Sequence, residues 1–131
     1  MRKSRDIEAA LYNWLTEDSY NASAHVVPAS LGSLLPHVHV VRTGGYEKDM
    51  VIEINRIDFD VYAGNAADAM EEASELCGWI RGLAGDRSYT AEVTTLPYNN
   101  PDPRHPNIAR ATVKAELVTR IIETEGTEGS N

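Results

Sequence analysis

Residues 57–83 read IDFDVYAGNAADAMEEASELCGWIRGL, and the change of period inside them decides the fold. Up to Tyr62 the apolar residues alternate. Ile57, Phe59 and Val61 share one face and Asp58 and Asp60 the other, which is the pattern of a half-buried strand. From Ala66 onward the apolar residues recur at three- and four-residue steps. Ala66, Ala69, Met70, Ala73, Leu76, Cys77, Ile80 and Leu83 make one helical stripe, with Glu71, Glu72 and Glu75 away from it. Gly85 supplies a natural stop. A strand feeding directly into an amphipathic helix, each with one apolar side, puts helix on sheet.

Upstream, the strand extends back to Met50 as MVIEINRIDFDVY. Ile52 and Ile54 are out of phase with Ile57; either a bulge near Asn55-Arg56 reconciles the two halves, or that end carries apolar residues on both faces. His37 to Thr43 has strand composition, Gly44-Gly45 begins a turn, and Tyr46 to Asp49 continues the loop. His25 to Pro28 reads as a short strand closed by proline. Near the start, Asp6 caps a helix to about Glu17, with Ile7, Ala10, Leu11, Trp14 and Leu15 on one face. Downstream, Ser88 to Leu96 is a strand. Ile108 to Ile122 is the last one, with Ala109, Ala111, Val113, Ala115 and Leu117 facing one way and Arg110, Thr112, Lys114 and Glu116 the other.

The element order α-β-β-β-α-β-β predicts an α+β fold, with two helices on one face of a mostly antiparallel four- to five-stranded sheet. A single domain is expected over residues 1–122. Residues 123–131, ETEGTEGSN, have the composition of a flexible acidic tail.

The chain has 131 residues and a net charge of -8, which disfavours a general nucleic-acid binder. One cysteine cannot form an intramolecular disulfide, and a reducing compartment is expected. No apolar run approaches the roughly 20 residues that span a bilayer, so no membrane association is expected. The basic start MRKSRD leads into an amphipathic run containing Asp6 and Glu8 and does not read as a signal peptide.

Candidate chemistry is sparse. His37 and His39 are two apart on a strand and share a face, but a zinc site needs further ligands that nothing places nearby. They are expected on the solvent or partner face, with Val38 and Val40 inward. Cys77 lies in the stripe of the second helix and reads as a small hydrophobe rather than a nucleophile. Asp58 and Asp60 share a strand face, a pattern compatible with acid–base work or a divalent ion; an exposed face or an intersubunit charge pair is the plainer reading. Neither a phosphate loop nor a Ser/His/Asp signature is present. No catalytic residue, metal or cofactor is expected, and an enzyme is not the favoured reading.

Four stretches in order resemble one known family. They are RDIEAALYNWL, LLPHVHVVRTGG, IDFDVYAGN running into AADAMEEASELCGWIRGL, and LPYNNPDPRHPNIARATVKAEL. Together they resemble the tail terminator proteins of long-tailed (siphovirus-type) phages, in the versions seen in actinobacteriophages. His37 and His39 stand where plain aliphatics are expected, and Ala115 stands where an aromatic is expected. The resemblance implies a virion structural protein assembled in the host cytoplasm as a homohexameric ring. Such a ring sits on the head-proximal end of the tail tube, stops tube polymerisation and offers a surface to head-completion or connector proteins. DNA would only pass through its lumen. The alternatives are a head–tail connector of similar fold and, further off, a small acidic binding module.

Residues 96–106, LPYNNPDPRHP, contain four prolines in eleven residues. That stiffness suits an outward-reaching arm, because a pre-formed loop loses less entropy on docking. Tyr98, Asn99, Arg104 and His105 are its candidate contacts with a neighbouring subunit or partner. Tyr46, Lys48 and Asp49 form a second contact loop. Asp58 and Asp60 are candidates for an acidic lumen that repels DNA phosphates.

Overall fold

The computed structural model describes residues 2–49, 51–120 and 122–123. The elements are β1 (Arg2–Lys3), α1 (Ile7–Glu17), β2 (Ala22–Ala24), β3 (His37–Glu47), β4 (Ile52–Ala63), α2 (Ala66–Arg81), β5 (Thr90–Asn99), β6 (Ala109–Arg120) and β7 (Ile122–Glu123). Both helix starts follow from their caps. The Asp6 carboxylate accepts the Ala9 N–H at 3.1 Å, and the Asn65 side-chain Oδ1 accepts the Asp68 N–H at 2.9 Å; each bond satisfies a donor the helix itself leaves unpaired. No helix of the described residues is long and apolar enough to cross a membrane.

The fold is α+β, with a five-stranded sheet in the order β2-β3-β4-β6-β5. It is mixed. β3-β4, β4-β6 and β6-β5 are antiparallel, but β2 runs parallel to β3, with Ser23 opposite His39. The short second strand is therefore Ala22–Ala24 rather than His25 to Pro28. A two-stranded ribbon, β1 with β7, lies outside that sheet and was not expected. Glu123, assigned to the acidic tail by composition, belongs to this ribbon; residues 124–131 of that tail lie outside the described residues.

The two helices share one face of the sheet. Ile7, Leu11 and Leu15 of α1, with Ala69, Ala73, Leu76, Cys77 and Ile80 of α2, pack with Val38, Val40, Ile57, Phe59, Val61, Ala111, Val113, Ala115 and Leu117 in one buried cluster. Cys77 is buried within it, as its place in the stripe predicts.

Of the two alternatives for β4, the strand takes the one without a bulge. β4 pairs with β6 without a break from Ile52↔Arg120 to Ala63↔Ala109. The irregularity lies in β3 instead, where the register with β4 shifts between Arg42 and Gly44. The shift falls at a pair of glycines with φ of 151° and 144°. At Gly45 a Cβ would sit 2.1 Å from the Ile54 carbonyl oxygen, so only glycine lets the strands close there.

Because β4 is regular, Ile52 and Ile54 fall on the face away from the helices, while Glu53 and Asn55 share the helix-side face. Both polar residues are buried. Asn55 donates to the Leu117 carbonyl (3.3 Å) and the Thr119 hydroxyl (2.8 Å), and the Glu53 carboxylate accepts from the Ser4 hydroxyl and the Arg5 N–H. The N-terminal segment thus covers the sheet end that the helices do not reach.

Candidate interaction surfaces

From Arg56 to Tyr62 of β4, the face of the sheet away from the helices is polar and arranged in cross-strand rows. Tyr62 stands between His37 and Arg110, Asp60 between His39 and Thr112, and Asp58 lies opposite Lys114. Directly opposed partners of this kind interact at short range. Asp58 takes both its bonds from the Lys114 ammonium, at 3.0 and 2.9 Å. Asp60 accepts from the Thr112 hydroxyl at 2.8 Å and lies 3.9 Å from Arg110. Neither aspartate is a bare acidic side chain. Their partners are cations and donors two strand spacings or less away on the same face.

The proline-rich segment does not reach outward as an arm. Leu96 to Asn99 continues β5 along β6, and residues 100–108 turn back over the far face. Asp102 holds them there. Its carboxylate is 2% exposed and accepts from the Tyr62 hydroxyl at 2.9 Å, the Arg104 N–H at 3.0 Å and His105 Nδ1 at 3.2 Å, with the Arg110 guanidinium 3.5 Å away. Burial alone pushes this carboxyl's pKa up. The Arg104, His105 and Tyr62 hydrogen bonds and the Arg110 charge outweigh burial and hold it well below the usual carboxylate range. Arg110 also donates to the Asn100 carbonyl at 2.6 Å, and the Asn100 amide donates to Thr112 at 3.0 Å.

A second buried cluster lies beside it. The Ser23 hydroxyl bridges His39 Nδ1 at 2.7 Å and His37 Nε2 at 2.8 Å. Val38 and Val40 point inward as expected, but His37 and His39 are only 1% and 6% exposed, not on an open face. A hydroxyl has one proton, so it donates to one imidazole and accepts from the other. Burial lowers the pKa of both. His39 is the more compensated, because Asp60 and Glu8 favour its charged form while Arg104 opposes it; His37 has only the unfavourable charge of His39 beside it. Among the described residues no group of three or more His, Cys, Asp or Glu is placed to hold a metal ion.

Of the candidate contacts, Arg104 remains open to solvent with its side chain 78% exposed, Asn99 is exposed, and Tyr98 is half-buried. His105 is spent on Asp102 and packs edge-on against Tyr62 at 5.9 Å. At the β3–β4 hairpin, Tyr46 is 53% exposed with the Arg56 guanidinium 5.6 Å over its ring. Lys48 and Asp49 are exposed beside it, and the Asp49 carboxylate shapes the turn by accepting the Val51 and Ile52 N–H groups at 2.9 and 3.1 Å. These residues do not converge on one site. The hairpin contacts lie at one end of the sheet and the proline-loop contacts at the other.

Sequence reasoning missed Asp102, Tyr62, Arg110 and Ser23. Asp102 had a local signal, since an aspartate between two prolines commonly bonds the backbone two residues on, as it does here to Arg104. Tyr62 and Ser23 had none, because their partners lie 40 and 14 to 16 residues away. No protein-family model matches the chain, and a search of curated proteins finds no match.

Proposed function

We propose that this chain is a tail terminator of a long-tailed phage: a structural virion subunit, not an enzyme, that closes with copies of itself into a hexameric ring. The ring sits on the head-proximal end of the tail tube, stops addition of tube subunits and presents its other side to a head-completion protein. The observation that carries the reading is where the chain leaves large side chains uncovered. Tyr46 and Val51 flank the tip of the hairpin, Leu96 stands on the edge strand β5, and Tyr12 is exposed on α1. Meanwhile the titratable groups of the far face are engaged within the chain. Surfaces of this kind suit protein partners rather than a small substrate. The ordered motifs that resemble the family support the same reading.

In such a ring the hairpin is the element that meets the tube or the neck, through Tyr46 and Lys48. Arg104, held by Asp102, and Asn99, placed by the pairing of β5 with Ala111 of β6, face a partner on the other side. DNA passes without adhering because the subunit's net charge of -8 is repeated around the axis. With Asp58 and Asp60 paired internally, exposed carboxylates such as Glu71 and Glu75 of α2 contribute instead.

His37, His39 and Ala115, which depart from the family's pattern, favour a second reading, a head–tail connector of similar fold. The test is addition of the purified protein to polymerising tail tube protein, followed by electron microscopy. A terminator halts growth and appears as a cap on one end. Tubes that grow unchanged, with the protein bound to portal-side components instead, select the connector.

A further inference from the structure

Between the N-terminal segment, the turn after α2 and the end of β6 lies a cavity of about 320 Å³ with three arginines in its walls, Arg5, Arg87 and Arg120. Tyr89, 50% exposed, stands beside them. Among the described residues Asp86 is the one carboxylate that lines it, in a chain whose net charge is -8. Trp14 draws two of the cations together. The Arg5 and Arg87 guanidiniums lie 6.0 and 5.9 Å from its ring centroid, attracted by the electron-rich face of the indole. Arg87 is already neutralised, donating to Asp18 at 2.9 Å and to Glu17 at 3.2 Å. Arg5 is not. Glu53 accepts from its backbone N–H rather than from its guanidinium, and the Arg5 Nε is buried without a hydrogen-bond partner among the described residues. A buried charged donor left unpaired is costly. Arg120, at the end of β6, is exposed at the same cavity.

We propose that this cavity takes a glutamate carboxylate of the chain's own C-terminal stretch, residues 124–131, TEGTEGSN, with Arg5 and Arg120 as its cationic partners. That stretch lies outside the described residues, and charge and reach argue for it. It carries Glu125 and Glu128 and no cation. It follows the ribbon of β1 with β7, where Glu123 pairs with Arg2. Arg5 is three residues from Arg2, at most about 11 Å of extended chain. Five residues separate Glu123 from Glu128, up to about 17 Å, so Glu128 reaches back to the cavity once the chain turns. Gly126 stands where that turn is needed and adopts it at little steric cost. A carboxylate in the cavity accepts charge-assisted hydrogen bonds from a guanidinium and relieves the repulsion between the cations gathered around Trp14. The docked stretch also excludes other anions from the cavity.

The test is paramagnetic broadening of amide signals in the full chain, spin-labelled through Ser130→Cys; the native Cys77 is buried. At low salt the amides of residues 85–89 and 119–120 are expected to broaden severalfold more than in the same labelled chain carrying Glu125→Gln and Glu128→Gln. Arg120→Gln, at an exposed site, is expected to remove much of that excess, and high salt to remove most of it. Equal broadening with and without the two glutamates overturns the proposal, because a stretch that merely passes nearby broadens both alike. An excess that survives Arg120→Gln whole also overturns it. So does an excess carried between chains, seen when spin-labelled chain is mixed with isotope-labelled chain that has no spin label.

Discussion

Removing the Asp102 carboxylate leaves Tyr62, His105 and Arg110 without the anion on which they converge. Breaking a buried, hydrogen-bonded charge in this way costs about 3 kcal/mol. Asp102→Ala is therefore expected to lower the unfolding free energy by that amount, read as a drop in the urea midpoint, and to raise amide exchange most across residues 100–108. A midpoint within error of wild type would show that the loop is held by something else. The Ser23–His37–His39 cluster predicts a pH dependence. Both imidazoles take up a proton less readily folded than unfolded. The unfolded chain then binds more protons below about pH 6.5, so stability is complete above that pH and falls as the pH drops, by at most about 1.4 kcal/mol per unit per imidazole. Asp60 and Glu8, which favour charged His39, soften the fall; Arg104 sharpens it. Urea midpoints at pH 7.5 and 5.5 measure the effect, and His37→Gln with His39→Gln should flatten it. Equal midpoints for the wild type would contradict the burial argument.

Elements were legible in the sequence where one local rule governs them. α2 is fixed by its stripe and by Asn65, and α1 by its stripe and Asp6, so both starts are readable to the residue. β4 was not legible in the same way. Its phase change at Asn55 invites a bulge, but the strand stays regular because Asn55 and Glu53 find buried partners in Thr119 and the N-terminal segment. Those partners are more than 40 residues distant in sequence, beyond any window of periodicity. The irregularity moved to Gly44-Gly45, which composition had marked only as a turn. Gly45→Ala is expected to cost about 1 to 3 kcal/mol, because a Cβ there collides with the Ile54 carbonyl and φ lies where side chains are strained. Exchange-rate measurements should show the hairpin from 43 to 56 loosening first. Protection unchanged at these amides would mean that the strands do not close on Gly45.

Across the whole molecule, the candidate contacts divide between the two ends of one sheet. The proline-rich stretch illustrates how far sequence carried the site. Its stiffness was readable, but its direction was set by Tyr62, 40 residues from Asp102 in sequence, and by Arg110 on the strand that follows, which turn the loop back onto the face and leave Arg104 and Asn99 outward. The central claim is that this subunit ends tail growth. The most direct measurement is the length of tails, by electron microscopy, after the gene is deleted from the phage genome in which the proposal places it. If the subunit ends tail growth, the deletion yields tails of uncontrolled length that fail to join heads, restored by the wild-type gene. Tails of normal length attached to filled heads would contradict it.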